Sequence, residues 1–155
     1  MHREIRAALN KPTAKTATAW IWLFASSTKQ QFGRILRAKN PLIYIQNGEL
    51  HYIKGDMYPV GGKQKEKERV FAKHQIKTDT PTHFYLFSDG FQDQFGGTEG
   101  RKFMIKYLKE LLLEIHNLPM EEQEQRLDKA LTNWMGTKHV QLDDVLVIGF
   151  RKDPI

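Results

Sequence analysis

The chain has 155 residues, of which 40% are hydrophobic and 11% aromatic, and it carries a formal net charge of +6. This length and composition predict one globular domain with a substantial core and exclude a disordered chain. The sequence contains no cysteine, which excludes disulfides and thiolate metal sites and favours a cytoplasmic location.

The distribution of charged and apolar residues disfavours two kinds of partner. The densest basic run, residues 62–69, is interrupted by glutamates and is typical of a solvated loop. The chain has no aromatic-rich nucleic-acid signature. The apolar run at 19–25 is far too short to span a bilayer, and we find no signal-peptide pattern. We therefore predict that neither nucleic acid nor a membrane is a partner.

The first half of the chain predicts a short helical segment, a β-hairpin and a further strand. Residues 2–10 resemble the end of a helix. Two strand-forming runs, at 42–46 and 49–54, flank Asn47-Gly48, a pair that tolerates the positive φ angles of a type I′ turn. Residues 70–78 alternate well enough for another strand.

The second half predicts a central strand, two helices and a final strand. Residues 83–88 form a nearly continuous apolar run, typical of a strand covered on both faces, and Asp89-Gly90 then turns the chain. Helices are predicted at 101–116 and between Pro119 and Gly136, and a strand at 145–150. The predicted buried stripes comprise Ile105, Leu108, Leu112 and Ile115, broadened by Phe103, Tyr107 and Leu111, and then Leu127, Ala130, Leu131 and Trp134. Helices on one side of a largely antiparallel sheet indicate the α+β class.

Two of the predicted strands carry aspartates at one end. Asp89 directly follows the strand at 83–88, and Asp143 and Asp144 precede the strand at 145–150. Each position alone is weak evidence, because Asp-Gly is a common turn pair and adjacent acids often cap a strand. If the two strand ends meet, their carboxylates form an oxygen-rich site suited to hard divalent cations.

These stretches resemble the C-terminal part of the PPM-type metal-dependent serine/threonine phosphatases, in the branch of stage II sporulation protein E (SpoIIE). The resemblance covers about residues 38–152. It rests on the segment 38–45 with its hairpin, Pro59-Val-Gly-Gly62, the helix pair, the stretch Tyr85-Leu-Phe-Ser-Asp-Gly-Phe-Gln-Asp-Gln-Phe-Gly-Gly97, and Asp143-Asp-Val-Leu-Val-Ile-Gly149. In sequence the chain is similar to bacterial phosphatase modules that follow sensor domains.

The resemblance implies a fold, a cofactor and a reaction. The implied fold is a partial β-sandwich of mainly antiparallel strands with an α-helical pair packed outside. The implied cofactor is a pair of Mn²⁺ or Mg²⁺ ions, with Asp89 and Asp143 as ligands, Asp144 as a neighbouring candidate and Gly90 letting the backbone turn close to the metals. The implied reaction, in bacterial signalling, is hydrolysis of phosphoserine or phosphothreonine in a protein substrate by a water held between the ions. Asp93 is interpreted as a solvent-exposed loop residue.

One part of the family pattern is missing from this chain. The other metal ligands of the family lie in an Asp-x-x-Gly-His-Gly type motif, and the sequence contains no Gly-His-Gly. Each divalent ion needs several oxygen ligands, so the remaining aspartates cannot hold two ions alone. We therefore expect residues 38–155 to be the C-terminal part of a phosphatase domain, and the chain by itself not to be a competent enzyme. Intact relatives are expected to carry an upstream sensor domain.

Residues 1–37 are predicted to be a remnant helix followed by an atypical segment. Family members read DGMDMALCIID…FAGAKNPL before the hairpin, whereas this chain reads Trp20-Ile-Trp-Leu-Phe24 in that region. Codons allowed for residues 11–29, displaced by two bases, spell TDSENSDGMDMALCIIDKA, and the same displacement permits FAG around 35–37. The segment is therefore either a frame-shifted translation or an ordinary divergent stretch, and the codons actually used decide between them.

Three functions compete at this point. The first is part of a protein phosphatase. The second is a non-catalytic binding remnant, a pseudophosphatase that keeps the substrate-facing helices without the metals. The third, a basic nucleic-acid-binding module, is the least favoured. The six histidines show no paired metal-binding spacing, and we expect His83 to be a satisfied or solvent-exposed side chain.

Overall fold

The computed structural model describes residues 4–7, 32–36, 40–56 and 72–154. Nine strands and three helices are defined within these ranges. In chain order they are β1 (Glu4–Ala7), β2 (Phe32–Leu36), β3 (Leu42–Gln46), β4 (Glu49–Ile53), β5 (Lys73–Lys77), β6 (Thr82–Phe87), α1 (Asp89–Asp93), β7 (Phe95–Gly96), β8 (Arg101–Lys102), α2 (Ile105–Ile115), α3 (Met120–Met135) and β9 (Leu146–Lys152).

A five-stranded sheet with the order β1-β9-β6-β3-β4 forms the centre of the fold. Its pairs are antiparallel except for β1 with β9, which is parallel. Strand β6 lies in the middle and all six of its residues are buried, which confirms the predicted central strand covered on both faces. Two smaller sheets pair β2 with β5 and β7 with β8.

The two faces of the central sheet are covered differently. On one face, alternate residues of β3, β6 and β9 pack against helices α2 and α3; this core contains Ile43, Ile45, Tyr85, Phe87, Val147, Leu108, Leu112, Ile115, Leu127 and Leu131. On the other face, Leu42, Phe84 and Leu86 cluster with Ile76 of β5. The prediction of an α+β fold with a partial antiparallel sandwich and helices packed outside is therefore confirmed.

The hairpin between β3 and β4 follows the sequence prediction closely. Asn47 has φ 52° and Gly48 has φ 77°, the left-handed values that a two-residue type I′ turn requires. The register pairs Gln46 with Glu49 across this turn and extends to Leu42 with Ile53.

The first of the two long helices is shorter than predicted. It begins at Ile105 instead of 101, because Arg101 and Lys102 pair with Phe95 and Gly96 in a small ribbon. Met104 then takes φ 74°, outside the helical region. Of the predicted stripe, Leu108, Leu112 and Ile115 are buried, whereas Tyr107 is 49% exposed.

The second long helix follows prediction, with Pro119 as its N-cap and Gly136 as its C-cap at φ 57°. Leu127 and Leu131 are buried as predicted, and a polar residue, Gln123, is buried with them. Among the described residues no helix combines the length and the apolar character needed to cross a bilayer.

The N-terminal expectation is wrong where the structure describes it. Residues 4–7, expected in the end of a helix, form a strand that pairs in register with β9, Glu4 opposite Leu146 and Ala7 opposite Gly149. A short isolated helix is only marginally stable in water, whereas the edge of β9 offers backbone partners for all four residues. Of the atypical segment 11–37, residues 32–36 form β2, whereas residues 11–31, including Trp20-Ile-Trp-Leu-Phe24, and residues 37–39 lie outside the described residues, as do residues 57–71.

Candidate metal-binding edge

The topology brings the predicted aspartate segments to the same edge of the central sheet. Strands β6 and β9 are antiparallel, with Phe87 opposite Val147. The end of β6 therefore lies beside the start of β9. Ser88 alone separates β6 from Asp89, which opens helix α1, and Asp143 and Asp144 come just before β9.

The hydroxyl of Ser88 joins the two segments directly. It donates to the carbonyl oxygen of Asp144 at 2.9 Å and accepts from the backbone N–H of Leu146 at 2.9 Å. The backbone N–H of Ser88 also donates to the Leu146 carbonyl at 2.9 Å. Ser88 is the N-cap of α1 but makes no side-chain capping bond to that helix, because its side chain serves the neighbouring segment instead.

Gly90 allows the two segments to approach this closely. A Cβ atom added at Gly90 would collide with the carbonyl oxygen of Asp144 and lie 2.9 Å from its carbonyl carbon. The glycine is therefore required by the backbone of Asp144. The sequence predicted that Gly90 lets the backbone turn near the metals; the structure shows instead a close packing of two backbones, and the role toward a metal stays a prediction.

A second link is made by Gln94, which follows α1 and is 1% exposed. Its amide nitrogen donates to the carbonyl of Val140 at 2.9 Å, and its amide oxygen accepts from the N–H of Leu142 at 3.4 Å. Its backbone carbonyl accepts from the indole N–H of Trp134 at 3.1 Å. Ser88 and Gln94 thus flank α1 on either side and hold it against the segment 140–146.

The carboxylates themselves face solvent. Asp89, Asp143 and Asp144 are all exposed. One oxygen of Asp143 accepts from the backbone N–H of Asp144 at 2.8 Å. Within the described residues Asp89 has no hydrogen-bond or ion-pair partner, whereas Asp93 pairs with Lys102 at 3.3 Å.

These carboxylates are of the right chemical type to bind a hard divalent cation, but they are too few to hold one. Carboxylate oxygens are the ligands that Mg²⁺ and Mn²⁺ prefer. Among the described residues, however, no group of three or more His, Cys, Asp or Glu side chains is arranged to hold a metal ion. The edge therefore offers part of a ligand set, and ligands from other residues are needed to complete it.

Sequence reasoning missed the two positioning residues. Ser88 directly precedes the predicted ligand Asp89, so its place in the Ser-Asp-Gly motif could have identified it as a positioning residue. Gln94 gave no signal, because a single glutamine in a polar stretch is ordinary; its importance comes from burial and from contacts with Val140, 46 residues later.

Comparison with known proteins finds similarity among solved structures. Neither protein-family models nor curated proteins match the chain. Among solved structures, the SiaA-PP2C domain of Pseudomonas aeruginosa superposes with a TM-score of 0.67 at 27% sequence identity, covering 79% of this chain and 47% of that chain. The chain thus spans about half the length of that relative. PP2C and PPM denote the same phosphatase type, so the fold of this chain is similar to part of a PPM-type phosphatase domain.

Proposed function

We propose that this chain supplies the Asp89 and Asp143 part of the divalent-metal site of a SpoIIE-like serine/threonine protein phosphatase. One observation supports this most strongly: the hydroxyl of Ser88, which directly precedes Asp89, bonds the backbone of Asp144 and Leu146 and so ties together the two segments that carry these aspartates. Likeness to a PP2C domain supports the same function class.

In this proposal each residue has a distinct task. Asp89 and Asp143 hold the ions, Asp144 assists through its carboxylate, and Gly90 keeps the two backbones in contact. Bound Mn²⁺ or Mg²⁺ would supply positive charge to stabilise the phosphoryl oxygens. Ser88 and Gln94 touch neither ion nor substrate and act by fixing the distance between the two acidic segments.

The proposal includes limits on activity. We propose that the 155-residue chain does not complete the metal site by itself, because Asp89, Asp143 and Asp144 do not form a three-ligand cluster among the described residues and two ions need more oxygens. The proposed substrate is a phosphorylated serine or threonine in a partner protein, in the cytoplasm of a bacterial cell, with a sensor domain upstream in intact relatives.

The test measures Mn²⁺ binding by paramagnetic broadening of backbone amide signals. We expect Mn²⁺ to broaden the signals of residues 88–90 and 143–145 first, and Asp89→Asn to weaken the apparent affinity by about tenfold. Asp93→Asn is the matched control, since Asp93 lies in the same helix but pairs with Lys102; it should change the affinity by less than about twofold. Equal effects of the two variants on the Mn²⁺ affinity would show that Asp89 is not a metal ligand.

A second measurement addresses catalysis. We expect the chain to hydrolyse para-nitrophenyl phosphate no faster than buffer with Mn²⁺. Hydrolysis above that background that is lost in Asp89→Asn would contradict the proposed incompleteness while supporting the phosphatase assignment.

The second candidate is a non-catalytic binding remnant. It is favoured by the lack of a three-ligand cluster among the described residues. It predicts that Mn²⁺ causes no selective broadening at 88–90 and 143–145, which separates it from the first proposal.

A further inference from the structure

A cavity of about 380 Å³ lies at the opposite end of the central sheet from the aspartates. Its walls come from the β3–β4 turn, the start of β6, the end of α2 and the end of β9. The lining residues are Ile45, Asn47, Gly48, Pro81, His83, His116, Asn117 and Arg151. His83 is the second residue of β6, whereas Asp89 follows the far end of the same strand.

Strand register explains why the basic groups converge here. His83 of β6 stands directly opposite Ile45 of β3 and Arg151 of β9. Residues directly opposite in neighbouring strands project from the same face, so His83 and Arg151 share the face that α2 and α3 cover. His116 follows α2 on that face, and its ring contacts the His83 ring edge-on with 5.5 Å between centroids.

The two imidazoles are buried, and one is left without a partner in the described part of the chain. His83 is 8% exposed and His116 is 9% exposed. The Nδ1 atom of His116 lies 2.7 Å from the carbonyl oxygen of Leu113, so Nδ1 carries the proton, and the residue lines the cavity. Within the described residues the His83 ring makes no hydrogen bond. The ring nitrogens of His83 are not among the buried side-chain atoms without a partner in the described residues, so the expectation of a satisfied or solvent-exposed His83 stands.

Positive charge outweighs negative charge around these rings. Burial lowers the pKa of His83, and His116 and Arg151 lower it further, while Asp153 acts in the opposite direction. Asp153 accepts from Nε and Nη2 of Arg151, both at 2.8 Å, and so offsets one positive charge. Protonation of the two histidines would then leave the cavity with net positive charge and unused N–H donors.

We infer that this cavity is a binding site for a dianionic tetrahedral oxyanion of the phosphate type, held by His83, His116 and Arg151. Guanidinium and imidazolium N–H groups are strong, short-range donors to such oxygens. The amide side chains of Asn47 and Asn117 add neutral donors at the rim. An anion favours the protonated histidines, so binding and protonation strengthen one another.

A metal site is the main alternative reading of two adjacent histidines, and the surroundings oppose it. The described residues here provide two imidazoles but no third His, Cys or carboxylate ligand. Arg151 also adds a permanent positive charge that repels a cation. The site is independent of the proposed catalytic edge, because it shares none of that edge's residues.

The experiment titrates the full chain with sodium sulfate, a probe that stays dianionic throughout the range, and follows the imidazole NMR signals at constant ionic strength. We expect the His83 and His116 signals to shift saturably at pH 6, and the affinity to fall by about tenfold at pH 8, where His83 no longer keeps a proton in the sulfate complex. A parallel titration with inorganic phosphate should shift the same signals.

Arg151→Gln and Lys152→Gln form a matched pair. Both remove one positive charge from β9, but Lys152 does not line the cavity. We expect Arg151→Gln to weaken sulfate binding by about tenfold and Lys152→Gln by less than about twofold. The inference is overturned if sodium chloride produces the same shifts, if the two variants behave alike, or if Zn²⁺ binds these histidines while sulfate does not.

Discussion

At Gly90 a side chain is excluded by the backbone of a segment more than fifty residues away. The sequence predicts this glycine as part of a Ser-Asp-Gly turn. It does not reveal why a glycine is needed there, because the atom that excludes a side chain is the carbonyl oxygen of Asp144. Asp89 and Asp143 could be selected from the sequence, since each adjoins a strand end. The bonds from Ser88 that join their segments depend on the antiparallel pairing of β6 with β9, which the sequence does not encode locally.

The first residue-scale prediction compares two glycines. Gly90→Ala should lower the free energy of unfolding by about 2 kcal/mol, because the added methyl group collides with the Asp144 carbonyl. Gly48→Ala meets no atom within 4 Å but must keep φ 77°, which costs about 1 kcal/mol. Urea unfolding of both variants measures the difference. Equal losses would show that Gly90 is not packed against Asp144 as described.

At the scale of elements, sequence patterns located the strands and helices more reliably than their boundaries. The hairpin was predictable because Asn-Gly specifies its own turn. Helix α1 was not predicted, because it is a single short turn. The ribbon β7–β8 was not predicted either, because the residues of β8 belong to a continuous helical pattern in the sequence. In the structure they pair instead with the backbone of Phe95 and Gly96. Trp134, predicted as core, also secures this ribbon, since its carbonyl accepts from the N–H of Gly97 at 2.7 Å.

A buried polar network joins β6 to the connection between α2 and α3. The Tyr85 hydroxyl donates to Oε1 of Gln123 at 2.8 Å. The amide nitrogen of Gln123 donates to the carbonyls of His116 and Leu118 at 3.1 and 2.8 Å. Each of these groups would be left unsatisfied in the core if its partner were removed.

This network gives an element-scale prediction. Tyr85→Phe leaves one amide oxygen unpaired and should cost about 1–3 kcal/mol of unfolding free energy. Gln123→Leu leaves the tyrosine hydroxyl and two backbone carbonyls unpaired, so it should cost more. Thermal or urea unfolding of the two variants checks the order. A smaller loss for Gln123→Leu than for Tyr85→Phe would show that the helix connection does not depend on this amide.

For the whole molecule, two buried titratable groups set opposite limits on stability. The pKa of His83 is lowered in the folded chain, so the unfolded chain binds more protons near pH 6. Stability from this group is complete above about pH 6.5 and is lost as the pH falls. Burial raises the pKa of Tyr85 far above its ordinary value, so its contribution is complete below about pH 10 and is lost at higher pH.

The corresponding prediction concerns the pH profile of unfolding. Urea midpoints should be highest between about pH 7 and 9. His83→Gln should flatten the acid side of this profile, and Tyr85→Phe should flatten the alkaline side, each relative to its own maximum. If both variants keep the pH profile of the parent chain, then groups other than His83 and Tyr85 cause the loss of stability at low and high pH.

Strand β6 holds the two candidate sites at a fixed distance from each other. The strand separates the edge that carries the aspartates from the basic cavity at its other end. The distance between them is about 20 Å, because six residues each advance a strand by about 3.3 Å. Since every residue of β6 is buried and all but Phe87 are paired on both sides, the strand cannot lengthen or bend sharply without breaking hydrogen bonds of the sheet. Two ligands bound at its opposite ends would therefore be held at a constant spacing, and any influence of one on the other would act through charge or through the loops, with no sliding of the strand.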